Sequence, residues 1–223
     1  MRLLRVLAVA TGFAALLSQS SAAQDDRQFK DAWFFGAKAG AMSYASASTS
    51  NGGAPLVGAE MLITRSRGGL YISLDQAFLT TDGGFQDRDP DSSFVRKARL
   101  KNLRRFTMAG MIFPMQTRNL HPYLGGGLAF NQIASAALLT GTTNSARYLI
   151  ALDSIQSKKA AFTPTLIGGV QARYKPMSAF VQGTVSPTQS GFFLVNPNSS
   201  RSVEFSLEFG VRYNVGSSID RAR

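Results

Sequence analysis

Apolar and polar residues alternate with a period of two along most of this chain. The pattern is cleanest in RSVEFSLEFGVRYNV, residues 201–215. There Val203, Phe205, Leu207, Phe209, Val211 and Tyr213 fall on one side, and Glu204, Glu208 and Arg212 on the other. Such alternation predicts a β-strand with one apolar and one polar face. Seven further stretches read the same way, at about 32–45, 55–65, 69–80, 102–114, 121–132, 160–174 and 177–187. Most reach the ~9–11 residues that a tilted strand needs to cross a bilayer, whereas strands of soluble proteins average nearer 5–6.

The links between these strands sort by parity. RSRGG (65–69), MQTRNL (115–120) and KP (175–176) are tight turns, while 46–54, 81–101, 133–159 and 188–200 are long. Strictly alternating short and long links are a property of outer-membrane barrels, with short periplasmic turns and longer extracellular loops. Aromatics gather toward the strand ends. Trp33, Phe34, Phe35, Tyr71, Phe113, Tyr123, Tyr174, Phe180 and Tyr213 lie near the short turns, and Tyr44, Phe78, Phe106, Phe130, Phe162 and Phe205 near the long loops. Two belts of rings at two water interfaces are what a bilayer selects.

Phasing the other strands gives Leu124, Leu128 and Phe130 against Ala129 and Asn131, and Phe162, Leu166, Val170 and Tyr174 against Thr163, Thr165, Gln171 and Arg173. The polar faces are rich in glycine, alanine and threonine, and their charges stand singly and in both signs. Such faces suit a crowded interior, in which charges must be paired. The expected lumenal polar network is Lys38, Glu60, Asp75, Arg173, Glu204, Glu208 and Arg212, with Gln182 on the same side. A soluble lipocalin-like barrel with its apolar faces inward is the competing arrangement. The adjacent Arg104 and Arg105 leave the fourth strand without a phase.

The first residues, MRLLRVLAVATGFAALLSQSSAAQ, carry Arg2 and Arg5, an apolar run to Leu17 and small residues ending at Ala23. This is the pattern of a secretory signal peptide cleaved after Ala23, which leaves a single domain over 24–223. Its removal takes away two arginines and no acid, so the remaining chain stays strongly basic. For an exported protein the acidic partner expected of that charge is lipid phosphate, with no nucleic acid involved. The chain has no cysteine and one histidine, which excludes disulfides and thiolate metal sites.

Over residues 30–215 the chain resembles the small eight-stranded outer-membrane barrel proteins of the OmpA, OmpX and OmpW kind. EFGVRYNV, residues 208–215, is similar to the C-terminal signal read by the barrel-assembly machinery. Glu208, Gly210, Tyr213 and Val215 occupy the matching places. The chain departs from the common pattern by continuing through GSSIDRAR, which is too short for a peptidoglycan-binding domain of the OmpA type. The resemblance implies an all-β, eight-stranded antiparallel up-and-down transmembrane β-barrel in the bacterial outer membrane, a monomer with no cofactor.

Candidate chemistry is sparse. His121, beside Pro122 at a short turn, is an exposed turn residue in this reading, far from Ser135 and Ser154, so a Ser–His hydrolase is not expected. LGGGL (124–128) lies within a strand and lacks the Lys and helix start of a phosphate cradle. DGGFQDRDPDSS (82–93) reads as a solvated loop. The basic run Arg96, Lys97, Arg99, Lys101, Arg104 and Arg105 sits where it would meet lipopolysaccharide phosphates at the outer rim. GFFLV (191–195) is apolar inside a long loop, as for a cap over the barrel mouth, an extension of the hairpin or a contact site for a partner. The expected role is structural or interactive at the cell surface. The alternatives are a narrow channel for small solutes, a lipid A-modifying enzyme and a soluble lipid binder.

Overall fold

The computed structural model describes residues 29, 31–46, 48–86, 95–115, 117, 119–139, 145–189, 192–194 and 201–217. The signal peptide expected over 1–23 lies outside them. Eight strands close into one antiparallel barrel in chain order. They are β1 (Ala32–Tyr44), β2 (Gly52–Arg65), β3 (Gly68–Gln86), β4 (Val95–Ile112), β5 (Leu120–Leu138), β6 (Ala160–Tyr174), β7 (Met177–Gln189) and β8 (Arg201–Ser217), with one helix, α1 (Ser145–Lys158), between β5 and β6. Closure pairs β1 with β8, Lys38 opposite Gly210 and Gly40 opposite Glu208, so no edge of the sheet is left open along the barrel wall.

The strands form because their side chains satisfy two solvents at once. Leu74, Phe106, Met108, Leu124, Leu128, Phe162, Leu166, Leu207 and Phe209 all point outward, and Phe162 is 75% exposed and Phe209 60%. An apolar band wrapping the whole barrel far exceeds what water tolerates on a soluble monomer. In a bilayer it is the lipid contact, and barrel closure satisfies the backbone there. The lipocalin-like arrangement is therefore inverted here: the polar faces are inside. No helix among the described residues is long and apolar enough to span a membrane, so the crossing is made by strands.

Three strands run longer than the sequence suggests. β3, β4 and β5 have 19, 18 and 19 residues, well beyond the ~9–11 that span a bilayer. Part of the long link read over 81–101 is thus strand, with Phe85 buried among apolar neighbours. The Asp and Gly residues of TDGGFQ mask that continuation. The phase of β4 also becomes clear. Its register with β3 slips between Ala77 and Thr80, opposite Lys101 and Leu103. Asn102 sits at the slip with φ 56°, a left-handed conformation that asparagine tolerates. Below it Arg104, Phe106 and Met108 face out; above it Lys97, Arg99 and Lys101 do. A one-residue irregularity exchanges the two faces of a strand.

The lumen is layered. At the periplasmic end Phe29, Phe34, Leu62, Met111, Phe113 and Tyr123 form an apolar plug. The extracellular end holds a second, with Leu56, Leu79, Leu100, Leu103 and Ile133 under Ala151 and Ile155 of α1 and Phe192–Leu194. The apolar patch of the last long loop does fold back as a cap, its Phe193 ring edge-on to Phe85 at 5.9 Å. The polar network lies between the two plugs. The aromatic belts are correspondingly thinner than expected. Phe35, Tyr174, Tyr213, Phe78, Phe106 and Phe205 face lipid, but Phe34, Tyr71, Phe113, Tyr123, Phe180 and Tyr44 point inward. Position along a strand sets depth, while parity sets the face.

Candidate functional site: the lumenal ion-pair network and the basic outer face

Every strand contributes to the central polar layer. Lys38 of β1 places its Nζ 2.9 Å from Asp75 Oδ1 of β3 and 2.7 Å from Glu208 Oε2 of β8. Arg105 of β4 spans the same two acids, with Nε 3.3 Å from Asp75 Oδ2 and Nη2 2.9 Å from Glu208 Oε1. Glu208 also accepts from Ser206 Oγ at 2.6 Å and Gln182 Nε2 at 2.8 Å. Two cations and two anions thus interlock as a buried square.

A second centre lies beside it. Arg212 of β8 pairs through Nε with Glu60 of β2 and donates from Nη1 to Gln171 Oε1 of β6 at 2.6 Å. Its guanidinium also covers the Phe180 ring, 3.9 Å from the centroid, and faces the Tyr123 ring at 5.3 Å. The two centres are joined by Tyr71, which accepts from Lys38 Nζ at 2.9 Å and donates to Glu60 Oε2 at 3.0 Å. Gln182 joins them too, taking a bond from Tyr123 at 3.0 Å. Three cations face three anions, so the layer is neutral as a unit. Such charges tolerate burial because each is paired and further hydrogen-bonded.

Of the residues the sequence singles out for the lumen, Lys38, Glu60, Asp75, Glu208 and Arg212 meet in this network. Glu204 is buried on the same face, but neither carboxylate oxygen has a hydrogen-bond partner among the described residues. Arg173 is misplaced. It is half-buried at the β6–β7 turn, donating from Nε to the Lys175 carbonyl at 3.3 Å, because it sits at the periplasmic end of β6, beyond the central layer. The residues missed are Arg105, Tyr71 and Tyr123, while Gln171 lies on the inward face to which the alternation of β6 assigns it. Arg105 is hidden by the irregularity at Asn102, and the tyrosines by their resemblance to interface residues.

The basic run divides by parity as well. Lys97, Arg99, Lys101 and Arg104 face outward on β4, whereas Arg96 shares the inward parity of Ala98 and Leu100. Arg99 pairs through Nε with Asp82 Oδ1 at 3.1 Å, and Arg104 donates to Gln76 Oε1 at 3.4 Å. Lipid-facing Phe106 lies just below this stripe on β4, and lipid-facing Phe78 of β3 lies level with the gap between Arg104 and Lys101.

In the assembly motif Glu208 and Gly210 face inward, and Tyr213 and Val215 outward. His121 is not an exposed turn residue. Its ring is buried in the periplasmic plug, stacked on Phe29 at 4.2 Å, because β5 begins before it. Among the described residues no group of three or more His, Asp or Glu is arranged to hold a metal ion.

A closed eight-stranded antiparallel barrel, apolar outside and ion-paired inside, is the fold of the small transmembrane β-barrels of the bacterial outer membrane. Neisserial surface protein A has this fold. It is 12% identical to the chain, covering 81% of this chain and 96% of its own, with a TM-score of 0.54. The N-terminal β-barrel domain of Pseudomonas aeruginosa OprF is 11% identical over 84% of this chain and 99% of its own, at a TM-score of 0.45. Ail, the attachment invasion locus protein of Yersinia pestis, is 9% identical over 83% and 99%, also at 0.45. No family model matches the chain, and no curated protein matches it.

Proposed function

We propose that the protein is a non-conducting, monomeric surface barrel of the outer membrane, without catalytic chemistry, that acts through its extracellular end. The observation that carries this reading is the lumen, where ion pairs from five strands and polar side chains from the other three are packed as one network between two apolar plugs. A channel needs a continuous wet path, and an enzyme of this kind needs an acid–base pair open to lipid. The support here is for rigidity instead. Barrel insertion is assigned to the assembly machinery through Glu208, Gly210, Tyr213 and Val215.

The outer leaflet is the partner that the outward face of β4 favours. Lys97, Arg99 and Lys101 stand above lipid-facing Phe78 and Phe106, and Arg104 stands between them, an outward basic stripe suited to lipopolysaccharide phosphates. Replacing Lys97, Lys101 and Arg104 together by Ser should reduce the lipopolysaccharide retained by purified protein, more at low salt than at high. Retention equal to wild type at low salt refutes the contact.

A further inference from the structure

β2 pairs with β3 only up to Leu56 opposite Ala77. Beyond that point β3 rises alone on this side, and the chain between β1 and β2 leans against it. Ser46 and Ser48 bond Thr81 Oγ1 at 2.7 and 3.0 Å, and the Asp82 amide donates to Ser48 Oγ at 3.2 Å. The step so formed is an open surface depression of about 420 Å³, lined by Tyr44, Ser48, Thr49, Gly52, Thr80, Thr81, Asp82 and Arg99.

Its lining has a definite chemistry. Apart from the Tyr44 ring, every side chain named carries a hydroxyl, a carboxylate or a guanidinium. Hydroxyls both donate and accept, the carboxylate accepts, and the guanidinium donates in a planar fork. A ligand dense in hydroxyl groups satisfies such a lining; a lipid chain does not. Asp82 and Arg99 neutralise each other, but Lys101 lies opposite Thr80, and Lys97 opposite Gly84, on the same outward face. The excess charge beside the depression is positive.

We propose that this step is a saccharide site that takes a sugar ring bearing an acidic group. The ring hydroxyls meet Asp82, Arg99, Thr80 and Ser48, and the acidic group meets Lys101. The site deepens the reading of the extracellular end as a contact surface and rests on it. The same chemistry is offered by the phosphorylated sugars of the surrounding lipopolysaccharide and by free anionic sugars.

The test uses the full chain in phosphatidylcholine nanodiscs, titrated with glucose 1-phosphate, galacturonic acid, glucose and inorganic phosphate. Both anionic sugars should bind more tightly than glucose or phosphate alone. Asp82→Asn and Thr80→Val should each weaken glucose 1-phosphate by about tenfold, the worth of one or two hydrogen bonds. Lys101→Ser should bring the anionic sugars down to the level of glucose. Both pocket substitutions sit on the extramembrane hairpin, and far-UV circular dichroism checks that the barrel stays intact. A second arm measures retention of lipopolysaccharide with a phosphorylated or an unphosphorylated core. If Asp82→Asn and Thr80→Val lower retention of the phosphorylated form and no free sugar binds, the ligand is the protein's own lipid. If neither arm depends on Asp82 and Thr80, the saccharide site is overturned. Should retention then still fall with Lys97→Ser and Arg104→Ser, the lipid contact survives without it.

Discussion

Glu208 is the acid on which the central layer turns, so its neutralisation is the most informative perturbation. It accepts charged bonds from Lys38 at 2.7 Å and Arg105 at 2.9 Å. Glu208→Leu removes both and leaves two cations facing Asp75 alone. Breaking a buried ion pair from one side costs about 3–5 kcal/mol. Glu208→Gln keeps an acceptor but no charge. Each bond then falls from about 1.5–3 to about 0.5–1.5 kcal/mol, so a loss of roughly 2–3 kcal/mol is expected. Lys38→Met alone should cost a similar amount, by taking the only cation from Asp75 Oδ1 and leaving Asp75 and Glu208 to share Arg105. Combined with Glu208→Gln it restores neutrality, with Arg105 still paired to Asp75 at 3.3 Å. The double variant should therefore be more stable than the sum of the singles, by about 1–3 kcal/mol. Urea titration of each variant refolded into phospholipid vesicles measures the cycle. Additivity within about 0.5 kcal/mol would refute the claim that these charges act as one unit.

Two further outcomes follow from the packing of the barrel wall. Phe209, one residue away and facing lipid, should lose about 2–4 kcal/mol as Phe209→Arg if it lies near the bilayer midplane, measured by the same vesicle titration. A Cβ on Gly127 would lie 2.0 Å from the Met108 carbonyl oxygen and 2.5 Å from Ala109 Cα, whereas one on Gly126 meets nothing closer than 3.6 Å. Gly127→Ala should therefore cost about 1–3 kcal/mol through overpacking, and Gly126→Ala should refold like the wild type.

Much of the barrel is legible in the chain because one physical signal repeats eight times. Period-two alternation placed β6 at 160–174 and its lipid face at Phe162, Leu166 and Tyr174, and parity of link length gave the up-and-down order. What failed did so where a second cause overrode that period. Arg105 entered the lumen because Asn102 shifts the face of β4, a backbone event that no hydrophobic pattern records. Phe34, Tyr71 and Phe180 looked like interface rings, yet they fill the lumen, where the Phe180 ring covers Arg212. Arg173 obeyed the alternation of β6 but lay too near the turn to reach the other charges. The neutral pairing itself depends on which strands meet across the lumen, and that follows from closure and stagger rather than from any one segment. For the same reason the depression beside Thr80 and Asp82 is invisible in sequence: it exists because β3 outruns β2.

The account stands or falls on the closed lumen. Recording current across a planar bilayer that holds the purified, refolded protein tests it directly. With Arg212 clamped between Glu60, Gln171 and the Phe180 ring, and apolar plugs above and below, the wild type should show no discrete current steps at any applied voltage the bilayer tolerates. Steady, ohmic unitary steps from the wild-type protein would mean a continuous water path past Arg212, and would contradict the sealed barrel.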